Sequence, residues 1–166
     1  MNHSASNSLG QQRGAVLMVS LIVLLVITLM GVSAARTVLL EEKMTFASRD
    51  AKLALEVAES AVKVAVMEIY DMEDTSGFGT QAYGHLHNPG EGPADLQDPE
   101  IWGVDATTTQ TKSASFTMAG HTLQGRYYIE LGDTVDDATL FRIVAQGRGL
   151  SDTTARTLIV HYKKKF

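Results

Sequence analysis

The side chains best suited to chemistry lie in the middle and last thirds of the chain. His85 and His87 are two positions apart, so an extended backbone would offer both imidazoles on one side, and Glu91, Asp95 and Asp98 follow as oxygen donors. A zinc site needs three or four ligands with supporting partners behind them. This stretch reads better as a solvated polar loop, and no metal is expected. Asp133, Asp136 and Asp137 could offer oxygens to calcium, but their spacing departs from that of an EF-hand loop, so they read as turn and cap residues. The chain has no cysteine, which excludes disulfides and thiolate metal sites. It has no Gly-x-Ser-x-Gly elbow, and its glycines lack the following lysine or helix start of a phosphate-binding loop. No catalytic residue and no cofactor are expected.

The elements around these residues are more telling. The 166 residues suffice for one compact domain, and the formal net charge of −5, without a basic stripe, argues against nucleic-acid binding. A mean hydropathy of zero hides two unlike parts. From Ala15 to Ala35 there is no charge, and only Ser20, Thr28 and Ser33 are polar. Such a run has the length of a bilayer-crossing helix, about 20 residues, and its hydroxyls can bond back to the preceding turn. Val16, Leu17, Val19, Leu21, Ile22, Leu24, Leu25, Ile27 and Leu29 would face lipid or other apolar helices. A wholly buried soluble helix is disfavoured because the remaining chain is too small to wrap it. Residues 1–14 are polar and differ from a secretory signal: the apolar run is too long, and a glycine precedes it where a signal would have a cleavage site after it. Arg13 and Arg36 flank the run almost symmetrically, so the charges do not orient it.

The helical pattern continues past the span. No proline occurs before Pro89, Gly31 is the sole glycine between Gly14 and Gly77, and good helix formers dominate. Ala47, Ala51, Ala54, Ala58, Ala61, Ala65 and Ile69 recur at spacings of three and four, which places them on one face for packing on a head. Arg49, Asp50, Lys52, Glu56, Glu59 and Lys63 fall mostly elsewhere. Residues 15 to 71 would make one helix about 85 Å long.

Glycines and prolines then punctuate residues 73–111, an irregular connection with a turn of helix near Ala94 to Ile101. Alternating patterns predict strands at Ser113–Met118, Leu123–Leu131, Leu140–Gln146 and Thr157–Tyr162, with Gly132-Asp133 ending the second and Gly147 and Gly149 supplying a turn. The fold class is therefore α+β: a long helix, its first half transmembrane, packed on a small antiparallel sheet of about four strands. Lys163 to Phe166 read as a solvated basic tail.

Gln11-Gln12-Arg13-Gly14 followed by Ala15-Val16-Leu17 resembles the processing site of type IV prepilins. The resemblance implies cleavage by a prepilin peptidase at Gly14–Ala15 and methylation of the new amino terminus. Glu41 to Met44, Arg49-Asp50 and Ala58-Glu59 extend the likeness to the PilX-type minor pilins over about residues 11 to 65. Most pilins carry glutamate at the fifth mature position; here it is Val19, a departure shared by PilX-type subunits and by the K-type pseudopilins of type II secretion.

The organisation so implied is a leader (1–14), a transmembrane and filament-core helix (15–35), its continuation on the head (36–72), a connecting loop (73–111) and a sheet (112–166). The function implied is that of a minor pilin initiating type IV pilus assembly in a tip complex, supporting twitching motility and adhesion. The partners implied are other minor pilins, the major pilin, the prepilin peptidase, the inner-membrane assembly platform and a PilY-type tip adhesin. The location implied is the inner membrane with a periplasmic head, then the pilus. Thr28, Gly31 and Ser33, the weakest helix formers in the span, would let the helix yield on assembly. Two alternatives stand: a K-type pseudopilin, and a signal-anchored periplasmic binding module or enzyme.

Overall fold

A computed structural model describes residues 8–80, 83–102, 110–118, 120–151 and 153–166. Helix α1 runs over Ser8–Asp71. Its start precedes the expected Ala15, because nothing in residues 8–14 breaks a helix apart from two tolerated glycines. The first seven residues of the expected leader lie outside the described residues. By contacts the chain divides into two units, Met1–Phe46 and Ala47–Phe166.

In the first unit every side chain from Ala15 to Phe46 is exposed. The hydroxyls of Ser20 and Thr28 donate back to the carbonyls of Leu17 (2.9 Å) and Leu25 (2.8 Å), so the polar groups of this apolar segment are satisfied within it. Ser33 plays the opposite part, its carbonyl accepting from the Thr37 hydroxyl at 3.2 Å. The backbone is helical through Thr28, Gly31 and Ser33.

In the second unit the rest of α1 packs on a five-stranded sheet. The strands are β1 (Leu86–His87), β2 (Lys112–Met118), β3 (His121–Val135), β4 (Ala138–Arg148) and β5 (Ala155–Lys164), with a short helix α2 at Pro99–Trp102. The order is β1-β3-β4-β5, and β2 pairs with β3. Strand β3 is long enough to take two partners along one edge, β2 against His121 to Tyr127 and β1 against Ile129 and Glu130.

Three expectations need correction. The sheet is mixed rather than purely antiparallel, because β1 joins it in parallel from within the connecting loop. Strand β3 does not stop at Gly132-Asp133: a bulge between Leu131 and Thr134 absorbs one extra residue and pairing resumes at Thr134↔Thr139. It then ends in a two-residue turn at Asp136 and Asp137, whose φ of 54° and 58° suit the twist of a hairpin and which Asp tolerates better than most side chains. Finally, α1 is not the sole cover of the sheet. On one face Tyr127, Ile129, Phe141, Ile143 and Ala145 pack with Ala61, Ala65 and Ile69 of α1; on the other, Tyr128 and Val144 are covered by Ile101 and Trp102 from the connecting segment.

Candidate functional site

The seam between helix and sheet is built from what side chains lack. Ala54, Val57, Ala58, Ala61, Ala65 and Ile69 are fully buried. Opposite them, Gly125 and Gly147 are cross-strand partners on β3 and β4. A Cβ on Gly147 would strike the Ala54 carbonyl and the Ala58 amide, and one on Gly125 would lie 2.9 Å from the Ala61 Cβ. Helix and sheet backbones therefore meet directly, and the expected turn residue Gly147 is instead a mid-seam contact. Of the alanines expected to pack on the head, Ala51 is half-buried and Ala47 is exposed. The reason is where the sheet's cover ends: its outermost loop reaches no further up the helix than Asp50.

Asp50, expected among the solvated charges, is buried. Its Oδ1 accepts the Leu150 amide at 2.6 Å, holding the β4–β5 loop against the helix. A Cβ on Gly149 would collide with this carboxylate. The Thr154 hydroxyl, then the Leu150 and Ser151 amides, hold its pKa below the usual aspartate value despite burial.

Further along the helix, Glu68 gathers three donors from three segments. Its Oε1 accepts from Lys112 Nζ (2.8 Å) and from His85 Nε2 (2.9 Å), and its Oε2 from the Tyr127 hydroxyl (2.5 Å). Burial pushes the carboxyl's pKa up, but the bonds from His85, Lys112 and Tyr127 outweigh it and hold the group at about 2. The same burial, with the carboxylate beside it, pushes the Tyr127 phenol up. His85 and His87, expected in a solvated loop, are both buried. His87 Nε2 bonds the Gln110 carbonyl at 3.0 Å and its ring meets Tyr128 edge-on. They are structural pins, and among the described residues no group of three or more His, Cys, Asp and Glu could hold a metal. Asp133 stands on the bulge beside the Asp136-Asp137 turn and gathers no ligand set.

The helix end is closed from the far end of the chain. Lys164, expected in a solvated tail, donates to the carbonyls of Ile69 (2.8 Å), Tyr70 (2.9 Å) and Met72. The last turn of α1 has no basic residue of its own, so Lys164 satisfies carbonyls that the helix leaves open. Beside this end lies an open cleft of about 840 Å³ between Val64–Met72, the segment that follows and β2. Sequence reasoning missed Asp50, Glu68, Lys164 and the seam glycines. The periodic burial of Glu68 between Ala61, Ala65 and Ile69 was the one available hint.

The residues expected in the membrane or filament, Val16, Leu17, Val19, Leu21, Ile22, Leu24, Leu25, Ile27 and Leu29, are all exposed on a helix long and apolar enough to cross a bilayer. The Gly14–Ala15 bond lies within α1, so a protease would have to unwind that turn to reach it. The family model described as PilX N-terminal matches residues 13–63, from Arg13 just before the apolar run through most of the alanine stripe. Over that N-terminal third the chain is similar to the PilX-type type IV pilins. No curated protein and no solved structure matches it. The family match ends within α1, before the sheet begins. The PilX family is one of structural pilins rather than enzymes, and the likeness, with a helix long and apolar enough to cross a membrane, supports a minor-pilin role.

Proposed function

We propose that this pilin is cut between Gly14 and Ala15 by a prepilin peptidase and methylated at Ala15, and that it starts type IV pilus assembly in a tip complex with other minor pilins. The observation that supports the reading is the family match over residues 13–63, which covers Gly14 and Ala15, the charge-free span and most of the stripe. Before assembly the exposed apolar segment sits in the inner membrane with the head in the periplasm. On extraction by the assembly platform it exchanges lipid for the helices of neighbouring subunits, including the major pilin, so its apolar surface need not meet water at about 25 cal/mol per Å². Val19 fits a subunit with none docked above it, because a carboxylate at that position would be buried without a partner. Such a tip would support adhesion and twitching motility and carry a PilY-type adhesin. The small second unit, in which the described residues form a five-stranded sheet with one four-residue helix beside α1, favours a pilin over a K-type pseudopilin, whose head carries a larger insertion.

Mass spectrometry of the protein from its own cells tests the processing step. A mature chain beginning at methylated Ala15, and an uncut chain when the peptidase gene is deleted, are expected. An intact Gly14–Ala15 bond in cells that hold the peptidase overturns the reading. Loss of surface pili on deleting the gene, restored by the wild-type chain, tests the role in initiation.

A further inference from the structure

The two edges of the sheet are finished differently. Strand β5 carries Arg156 and Lys163, charges of the kind with which an edge strand is usually blunted against pairing. Strand β2 pairs with β3 on one side, and among the described residues no strand pairs with its other side. Its sequence, KSASFTM, contains no proline, and its one charge, Lys112, is tied to Glu68 at 2.8 Å. Among the described residues the edge thus leaves a row of backbone donors and acceptors without a strand partner.

The cleft beside the helix end opens along this edge, with Lys112 to Phe116 forming one wall. Met67 and Tyr83, which also line it, are 67% and 53% exposed, an apolar surface the head leaves uncovered. Its rim is acidic, with Asp71, Glu73 and Asp74. An open strand edge recognises another extended backbone; an apolar floor selects alternate apolar side chains; a rim of carboxylates selects cationic ones.

We propose that β2 is a docking edge for an extended segment of another protein in which apolar residues alternate with Lys or Arg, added to the sheet as a further strand beside β2. This goes beyond the proposed role in pilus initiation and does not need Gly14 to be cut, so an uncut chain that still binds separates the two readings.

The test uses the full chain in detergent micelles and two short synthetic peptides, one alternating valine with lysine and the other valine with glutamate. Fluorescence anisotropy gives affinity, and amide hydrogen exchange locates the contact. The lysine peptide should bind about tenfold tighter than the glutamate peptide and slow exchange at Ser113 to Thr117. Asp71→Lys with Glu73→Lys should reverse the preference, while Ser113→Lys with Ser115→Lys should abolish binding of the lysine peptide; thermal melts of both variants should match the parent. The proposal is overturned if the lysine peptide fails to bind, if binding leaves the β2 amides unprotected, or if both peptides bind alike to the parent and to the Asp71→Lys, Glu73→Lys chain.

Discussion

Between Ala15 and Phe46, α1 exposes every side chain, whereas between Asp50 and Ile69 it hides six apolar residues and a carboxylate against a sheet. The backbone is the same in both stretches; the surroundings each can accept are not. From Ala15 to Ala35 the first is free of charge around its whole circumference, which suits lipid, where a helix satisfies its own backbone and needs no partner face. The second is apolar along one stripe, and that stripe is made of alanine. It gains little from the bulk of its side chains and much from closeness, because Gly125 and Gly147 bring the sheet backbone up against it. One half is therefore insensitive to single residues, while the other depends on a few atoms that must be absent.

Disrupting the seam should have the largest effect. Gly147→Ala drives a methyl into helix backbone that cannot move aside and should cost about 3 kcal/mol, read by denaturant unfolding followed by the fluorescence of Trp102, the single tryptophan. Next comes Glu68→Ala, which leaves the buried His85 and Tyr127 groups without their acceptor and should cost about 2 kcal/mol. The pH dependence sharpens this. Glu68 has a folded pKa of about 2 against 4.5 unperturbed, so its contribution is complete above pH 4.5 and is lost as the pH falls towards 2. Stability curves measured over that window should slope down with acid in the parent and less steeply in Glu68→Gln. Lys164→Met uncovers the carbonyls at the helix end and should cost about 1 kcal/mol. The smallest effect is expected in the other region: Val19→Glu should change the unfolding of the second unit by less than about 0.5 kcal/mol. A large shift in Trp102-monitored unfolding from Val19→Glu would erase the contrast between the two regions.

The patterns that survive in the sequence are those carried by repetition. The charge-free run from Ala15 to Ala35, the stripe of Ala54, Ala58, Ala61 and Ala65, and the alternation in Tyr127, Ile129 and Leu131 each repeat a local period, and the elements they imply are present. What stayed hidden depends on single long-range contacts. Gly147 looks like a turn residue because nothing local says a helix lies over it. Asp50 and Lys164 look solvated because their partners are 100 and 92 to 95 residues away in sequence. Leu86 and His87 form too short a strand for any alternation to register, and only β3, by outrunning β2, leaves them a place to pair. Ala47 misled for the converse reason: the stripe's period runs on past the point where the sheet stops.

The closure by Lys164 sets an order of events during synthesis. The lysine follows the Met72 carbonyl by 92 residues, so a ribosome making the strands exposes the end of α1 with its acceptors open until nearly the last of the sheet has emerged. Until then the nascent head has no latch, and a chain stalled or truncated before that lysine would present an unfinished helix terminus to proteases.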